Sequence, residues 1–160
     1  MDSLLELLKQ NARFTNQQLS SMLGISEDDV ARKIKEYENK GIIMGYSVIL
    51  NEELAYSNTV TAFIQLKVTP QKDSGFDEVA NKIMQYEEVE GVTLMSGAYD
   101  LAVTASGADL RTIALFVAQK LSTIEGVVST STHFVLKRYK EKGIFINKDV
   151  QTDERGMVSP

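Results

Sequence analysis

The sequence contains no cysteine, a single histidine and no long apolar run, and each of these absences excludes a class of protein. Without cysteine the chain can form neither a disulfide framework nor a thiolate metal site. No apolar run approaches the roughly 18 residues that a membrane-spanning helix needs. The start, MDSLLELLKQ, carries an acid where a secretory signal carries basic residues. We therefore expect a cytoplasmic protein with no metal, no cofactor and no membrane partner.

The sequence also lacks an excess of positive charge. Its 17 Lys and Arg stand against 22 Asp and Glu, which gives a net charge of −5. The first fifty residues hold six bases and seven acids, a net charge of −1. Phosphate contacts supply most of the affinity of DNA-binding proteins, so a DNA-binding module in this chain must place its few bases well or bind as an oligomer.

What the first fifty residues do contain is the pattern of three short helices. Thr15 and Gln18 have the spacing of a capping box, and Ser26 with Asp29 forms a second box of the Ser-x-x-acid type. The expected elements are a first helix over Asp2–Gln10, a second from the Thr15 cap to Leu23, a third over Glu27–Asn39, and a small wing or linker strand over Ile42–Leu50. This order predicts a winged helix-turn-helix.

Helical geometry assigns two faces to the third helix. Val30, Ile34 and Tyr37 recur at helical spacing and form the predicted buried face. The opposite face, which would meet a major groove, carries Asp28, Arg32, Lys35 and Asn39. Of the three acids that open this helix, Asp28 alone has no predicted local role, and we expect it to lower the affinity for non-specific DNA.

After a short polar segment at 51–59, the chain contains an internal repeat. Both copies open with Ser-Gly-x-Asp, from Ser74 and Ser106, and both close with Glu-Gly-Val, 35 residues apart. A β-type run precedes each copy, over Thr59–Thr69 and Tyr99–Ser106. The order βαβ followed by βαβ predicts an antiparallel sheet with two helices on one face, the ferredoxin-like arrangement, over 60–142.

The last predicted strand begins near Val127 and alternates regularly. Val128, Thr130, Thr132, Phe134 and Leu136 are expected on one face, and Ser129, Ser131, His133 and Val135 on the other. Helices on one side leave the other side of the sheet bare, and neither face of this strand is strongly charged. We therefore expect the sheets of two chains to pack together in a dimer. His133 is expected to be partly buried and hydrogen-bonded.

The chain as a whole resembles the leucine-responsive/asparagine-operon regulator (Lrp/AsnC) family of bacteria and archaea, from Met1 to about Lys142. The resemblance lies in NARFTNQQLSSMLGIS, VARKIKEYENKGIIMGYSVIL, VTLMSGAYDLAVTASG and the strand from Val127. It implies an α+β protein with a winged helix-turn-helix over 1–50, a linker over 51–59 and an ACT-like sensing domain. Residues 143–160 extend past the usual end. Residues 143–150 (GIFINKDV) could add a strand to the sheet edge or to a neighbouring chain, and residues 151–160 are expected to be disordered.

The resemblance also implies the partners: double-stranded DNA, a small effector such as an amino acid, and other copies of the same chain in dimers and higher oligomers. The residues expected to contact DNA are Asn16, Gln17, Ser26, Asp28, Arg32, Lys35 and Asn39. An effector site between subunits is expected to include Ser96, Gly97, Tyr99, Asp100, Thr130 and Thr132. Backbone N–H groups near Gly97 could hold a carboxylate, and Asp100 could pair with an α-ammonium. In the simpler alternative, Asp100 only caps a tight turn.

Two other functions stay open on the sequence alone. The N-terminal helices could hold a protein partner instead of DNA, which the acidic charge of that region would favour. A small enzyme on a ferredoxin-like sheet would need a clustered acid–base set, and the sequence contains no P-loop, Gly-x-Ser-x-Gly or Ser-x-x-Lys pattern. The predicted function is a DNA-binding transcriptional regulator whose operator affinity responds to a small effector.

Overall fold

A computed structural model describes residues 2–55, 58–70, 72 and 75–146. The chain divides into two compact units after Val48. Predicted linker residues 51–55 therefore belong to the second unit, where Glu52–Ala55 form a one-turn helix, α4. No helix among the described residues is long and apolar enough to cross a membrane.

Three helices build the first unit: α1 (Ser3–Gln10), α2 (Asn16–Leu23) and α3 (Glu27–Asn39). The capping box of α2 is complete, since Thr15 Oγ1 accepts the Gln18 N–H and Gln18 Oε1 accepts the Thr15 N–H. Gly24 follows α2 with φ of +67°, a left-handed conformation that glycine adopts without strain. The predicted helix-turn-helix order is confirmed.

The end of α3 is a Schellman turn. Gly41, with φ of +67°, donates its N–H to Glu38, and Ile42 donates to the carbonyl of Tyr37. The strand expected over Ile42–Leu50 is absent, because no described segment supplies its backbone with ladder hydrogen bonds. Tyr46 instead turns back to α3 and donates a 3.0 Å hydrogen bond to Glu38.

A small core holds the three helices together. Leu4, Leu19 and Val30 are fully buried, one from each helix. The residues packed around them are partly buried: Leu7, Leu8, Phe14, Leu23, Ile25, Ile34 and Tyr37. Asp2, which caps α1 through the Leu4 N–H, also lies beside α3, where hydrogen bonding to the Tyr37 hydroxyl lowers the pKa of Asp2 and raises that of Tyr37 to about 12.

The second unit is a four-stranded antiparallel sheet in the order β2-β3-β1-β4. Its strands are β1 (Val60–Val68), β2 (Val89–Leu94), β3 (Leu101–Gly107) and β4 (Val127–Phe134). Helix α5 (Asp77–Ile83) connects β1 to β2. Helix α6 (Leu110–Phe116), continued by a π-helical turn (Val117–Leu121), connects β3 to β4. This is the predicted ferredoxin-like order.

One face of this sheet is covered and the other is open. Ala62, Ile64 and Leu66 of β1 are fully buried and belong to one core with α5, α6 and the π-helical turn. We call the side of the sheet that carries these residues the helix face. The side chains that alternate with them, such as Phe63 and Gln65, lie on the opposite, open face. Ser131 of β4 shares that open face, since it pairs with Gln65.

The two copies of the repeat begin their helices differently. Asp109 precedes α6 as its N-cap, and its Oδ1 accepts the Thr112 N–H at 2.7 Å. The matching Asp77 is instead the first residue inside α5, which has no side-chain cap. Gly107 ends β3 where a Cβ would lie 3.0 Å from the Ile113 side chain, so any larger residue would force that side chain to shift.

Two expectations about the C-terminal part are wrong. A bulge between Lys67 and Val68 pairs Val68 with Val127, so Val128 leaves the face that carries Thr130 and is 65% exposed. The strand ends at Phe134, before the predicted Leu136. The extra strand at Ile144–Phe145 (β6) pairs with Lys140–Glu141 (β5) in its own hairpin and not with the main sheet edge. Residues 151–160, which were expected to be disordered, lie outside the described part of the chain, as do residues 147–150 of the expected strand segment.

Candidate DNA-binding surface and effector site

The solvent-facing side of α3 carries the four predicted groove residues together. Asp28, Arg32, Lys35 and Asn39 are all exposed, while Val30 is fully buried. The spacing of four, three and four residues keeps them on one face over nearly three helical turns. The helix therefore presents a continuous polar ridge of the kind that enters a major groove.

Most of the basic side chains along α3 form ion pairs with nearby acids. Arg32 pairs with Asp29, Lys40 pairs with Glu36 at 2.5 Å, and Lys33 lies 3.8 Å from Asp2. The Lys40 hydrogen bond lowers the pKa of Glu36. Within the described residues, Lys35 is the one base of this helix without an ion-pair partner. Its ammonium is therefore the cation of α3 most available to a phosphate or a base edge.

The acidic start of α3 has a local explanation in Asp29. The Ser26 hydroxyl accepts the Asp29 N–H at 3.1 Å and donates to the Asp29 carboxylate at 2.7 Å. In the predicted capping box, the Asp29 carboxylate therefore accepts from the Ser26 hydroxyl and not from the Ser26 backbone N–H. Because Asp29 also pairs with Arg32, it holds that guanidinium on the exposed ridge. Asp28 makes no hydrogen bond or ion pair with another described side chain.

The three residues expected at the DNA backbone lie at the starts of two helices. Asn16 and Gln17 are the first residues of α2, and Ser26 is the N-cap of α3. All three are exposed. Helix N-termini carry unpaired N–H groups and a positive partial charge, which suits a phosphate.

In the second unit, the turn Ser96–Asp100 connects β2 to β3. Ser96 and Gly97 are exposed at its tip, and the Tyr99 ring lies edge-on to Phe63, with 6.3 Å between ring centroids. Because Phe63 lies on the open face, Tyr99 covers part of that face. Lys67 donates to the Ala98 carbonyl at 3.3 Å and so ties the turn to β1.

The Asp100 carboxylate is already engaged. Its Oδ2 accepts the Val68 N–H at 2.8 Å, at the bulge where β1 loses regular pairing, and Lys67 Nζ lies 3.8 Å from Oδ1. The contact supplies a partner for a backbone donor that the ladder leaves free. The partner is a backbone N–H of β1, 32 residues away in the sequence, and not the backbone of the turn itself, as the simpler alternative expected. The pairing of Asp100 with an α-ammonium stays a prediction.

Thr130 and Thr132 lie on the other face of the sheet. They pair with Leu66 and Ile64, whose side chains are fully buried on the helix face. Thr130 Oγ1 is 3.5 Å from the hydroxyl of Ser122, which follows the π-helical turn. Both threonines therefore lie on the side of the sheet opposite to Tyr99, which packs on the open face.

His133, expected to be partly buried, is exposed on the open face, where its Nε2 lies 3.2 Å from the Ser131 hydroxyl. His133 alternates with Thr132 and Phe134 and so lies on the open face of β4, an edge strand. It is exposed because no described segment covers that face of the strand. Among the described residues, no group of three or more histidine, aspartate or glutamate side chains could hold a metal ion.

A cavity of about 340 Å³ in the second unit was not predicted from the sequence. Its wall comes from the segment around α4, the start of β1, the residues after β4, and one residue after the hairpin: Leu50, Asn51, Glu52, Glu53, Thr59, Thr61, Val135, Leu136, Lys137, Arg138 and Ile146. Arg138 crosses the wall to Glu52 at 3.5 Å and lies 3.8 Å from Glu141. The sequence signal nearest to this cavity is the basic cluster Lys137-Arg138-Tyr139-Lys140.

Asn51 is the unusual residue of this cavity. Its backbone carbonyl accepts from Leu54 and Ala55, which places it at the N-cap of α4. A capping asparagine normally accepts a first-turn N–H with its side chain. Here Asn51 Oδ1 is buried and, among the described residues, it is the one buried side-chain polar atom without a hydrogen-bond partner. An unpaired buried acceptor costs about 1–3 kcal/mol.

Comparison with known proteins gives two matches to family models. A model of the Lrp/AsnC ligand binding domain matches residues 61–145, and a model of winged helix-turn-helix DNA-binding domains matches residues 3–44. The first covers more than half of the chain and spans the whole four-stranded sheet.

Whole proteins of the same kind are also similar to this chain. An uncharacterized HTH-type transcriptional regulator of Bacillus subtilis, YugG, is 43% identical over 98% of this chain and 95% of its own length. The leucine-responsive regulatory protein of Haemophilus influenzae is 27% identical over 91% of this chain and 87% of its own. A crystal structure of a transcriptional regulator from Neisseria meningitidis in complex with L-Met has a TM-score of 0.71 and 27% identity, and the alignment covers 92% of this chain and 97% of that one.

Proposed function

The chain belongs to the Lrp/AsnC family of transcriptional regulators, and we propose that it binds an operator through α3. We propose further that a small effector, an amino acid, changes the affinity for that operator. The observation that carries the proposal is the placement of Asp28, Arg32, Lys35 and Asn39 on one exposed face of α3. The Bacillus relative and the Neisseria structure similar to this chain are named as transcriptional regulators.

In the proposed complex, α3 lies in the major groove. Lys35 reaches a phosphate or base edge directly, and Arg32 leaves Asp29 to pair with a guanine. Asp28 accepts from a cytosine amino group at the operator and repels phosphates elsewhere. Asn16, Gln17 and Ser26 bind the DNA backbone and set the register of the helix.

The proposed effector is an amino acid, because the similar Neisseria regulator was solved with L-Met. In one chain Tyr99 and Thr130 lie on opposite faces of the sheet. A site that uses both therefore takes the Ser96–Asp100 turn from one subunit and Thr130 with Thr132 from another. Binding would then stabilise one arrangement of subunits, and this linkage would change the operator affinity.

Assembly through the open face of the sheet is a second proposed contact between chains, separate from the effector site, because Thr130 and Thr132 lie on the helix face. That face is made of small or weakly polar side chains such as Ala102, Thr104 and Ser131, around Phe63. With one covered and one open side, the sheet can pair with a second copy face to face, as in a β-sandwich. We infer a dimer as the smallest functional unit.

Fluorescence anisotropy with DNA from upstream of the protein's own gene would test the proposal. Titrations at two salt concentrations, with random duplex as competitor and with or without L-methionine, measure specificity, phosphate contacts and effector response separately. We expect selective binding that weakens with salt, since each phosphate contact releases counterions. No preference over random DNA, even at low salt with mixed amino acids present, would instead favour a protein partner for the N-terminal helices.

A further inference from the structure

Arg32, which pairs with a guanine in the proposed complex, does not present a free guanidinium. Its Nη2 donates to Asp29 Oδ1, although the Arg32 side chain is 75% exposed. Glu36, the other acid that acts on Arg32 along the helix, accepts a hydrogen bond from Lys40 instead. Within the described residues, Asp29 is therefore the carboxylate that any DNA group must displace to reach Arg32.

The Asp29 carboxylate is held in place by the N-cap of the same helix. Its Oδ2 accepts from the Ser26 hydroxyl at 2.7 Å, and the Ser26 oxygen accepts the Asp29 N–H at 3.1 Å. One carboxylate oxygen is thus fixed by the cap, and the other accepts from Arg32. Because the cap already restricts Asp29, its pair with Arg32 loses less side-chain entropy than most exposed ion pairs do.

This contact lowers what Arg32 can add to DNA binding. A guanine or a phosphate that binds Arg32 replaces an existing anionic partner, so only the difference between the two contacts adds to the affinity. Lys35, which has no ion-pair partner among the described residues, has no such competitor. Asp29 also lies beside Ser26, a proposed backbone contact, so its charge opposes a phosphate there.

We propose that Asp29 is an affinity-determining residue of the α3 surface, which competes with DNA for Arg32 and limits how tightly one α3 helix binds. The inference rests on the proposed function, because it needs Arg32 at the DNA. A low affinity for each helix means that stable occupancy of an operator needs several α3 helices bound at once. The acidic start of α3 then makes DNA binding depend on the assembly of chains.

Anisotropy titrations of the full-length protein test the proposal, with DNA from upstream of its own gene and with random duplex. Asp29→Asn removes the charge and keeps the N–H that Ser26 caps. Glu27→Gln is the matched control, because Glu27 lies in the same turn and makes no ion pair within the described residues. Both variants should bind DNA more tightly through the lost negative charge.

The signature of competition is the extra gain of Asp29→Asn over Glu27→Gln. We expect it to be about two- to fivefold for each bound helix, the factor that an exposed ion pair contributes. Asp29→Glu keeps a carboxylate within reach of Arg32 and should bind as the wild type does. Thermal melting followed by circular dichroism checks that each variant is folded.

Two further backgrounds separate competition for Arg32 from a general effect of charge. In Arg32→Ala protein, Asp29→Asn should gain no more than Glu27→Gln, because the competed group is gone. In Lys35→Ala protein, which removes a base without an ion-pair partner in the described chain, the extra gain should persist.

The possible results distinguish this inference from the proposed function. Equal gains from Asp29→Asn and Glu27→Gln would overturn the inference while the proposed function stands. Weaker operator binding by folded Asp29→Asn protein would overturn it too, because Asp29 would then support Arg32 in the bound state. Wild-type protein that binds neither duplex would remove the proposed function and the inference together.

Discussion

The α3 ridge and the residues predicted for the effector site differ in how the fold assembles them. Asp28, Arg32, Lys35 and Asn39 lie on one face of one helix. The effector residues come from a turn on one side of the sheet and a strand that faces the other way. One surface is complete within a single chain, and the proposed effector site takes its residues from two chains.

This difference has a direct physical origin. Side chains three and four residues apart in a helix share a face whatever surrounds the helix. The neighbours of a residue in a sheet depend on pairing with strands far away in the sequence, and a bulge changes them. The bulge opposite Val128 shows this, since it moves that side chain from the predicted face to solvent.

The largest expected effect concerns the core on which the α3 ridge depends. Leu19→Ala should destabilise the first unit by about 2–5 kcal/mol, because Leu19 is one of only three fully buried residues there. Hydrogen exchange followed by NMR should show lost protection in α1, α2 and α3 and native protection in the sheet. Met22→Ala, at a 54% exposed position of the same helix, is the matched control. Equal loss of protection in both units would show that they are not independent.

The next prediction tests whether the ridge reads DNA. Arg32→Ala should cost about 1–3 kcal/mol of binding free energy on a cognate operator, because a guanidinium pairs with guanine in two hydrogen bonds. Lys142→Ala removes one positive charge from the other unit and should leave operator affinity nearly unchanged. Anisotropy titrations measure both. An Arg32→Ala variant with wild-type affinity would remove Arg32 from the proposed interface.

A mixing experiment tests whether the effector site is shared between chains. Tyr99→Ala and Thr130→Val should each weaken the effector response by about tenfold, because the loss of one contact costs roughly 1.4 kcal/mol. In an oligomer that mixes the two variants, one effector site takes wild-type Tyr99 from one chain and wild-type Thr130 from the other. Part of the effector response should therefore return. The readout is the effector concentration that shifts operator binding. If mixtures respond no better than either variant alone, the two residues act within one chain or do not belong to the effector site.

The smallest effect is a pH dependence of the first unit. Hydrogen bonding to Tyr37, and then to the Leu4 N–H, lowers the pKa of Asp2 below its ordinary 3.8. A carboxyl group with a lowered folded-state pKa stabilises the fold above its unfolded pKa, and this contribution disappears as pH falls through the folded value. Asp2→Asn should therefore lower the melting temperature slightly at pH 7 but not in strong acid. Glu6→Gln, in the same helix, is the control, and a pH-independent difference would contradict the assignment.

Several local features were predictable because neighbouring residues decide them. The complete Thr15–Gln18 capping box and the glycine that ends α3 follow from side-chain chemistry within four residues. The cavity was not predictable, because Asn51 and Lys137, which both line it, are far apart in the sequence. The hairpin of β5 and β6 had a signal in Lys142-Gly143, two residues with positive φ, but this pair is less specific than Asn-Gly.

The sequence by itself determined the family, through its resemblance to known regulators. Short-range periodicity and capping determined the order of the three N-terminal helices, the βαββαβ order of the second unit and the exposed residues of α3. Only the tertiary structure decided that Asp100 binds the Val68 backbone, that Thr130 faces away from the Tyr99 turn, and that Asn51 lines a cavity. The reason is the same in each case. Strand register and bulges are set by the packing of the whole sheet, and they choose the neighbours of every side chain on it.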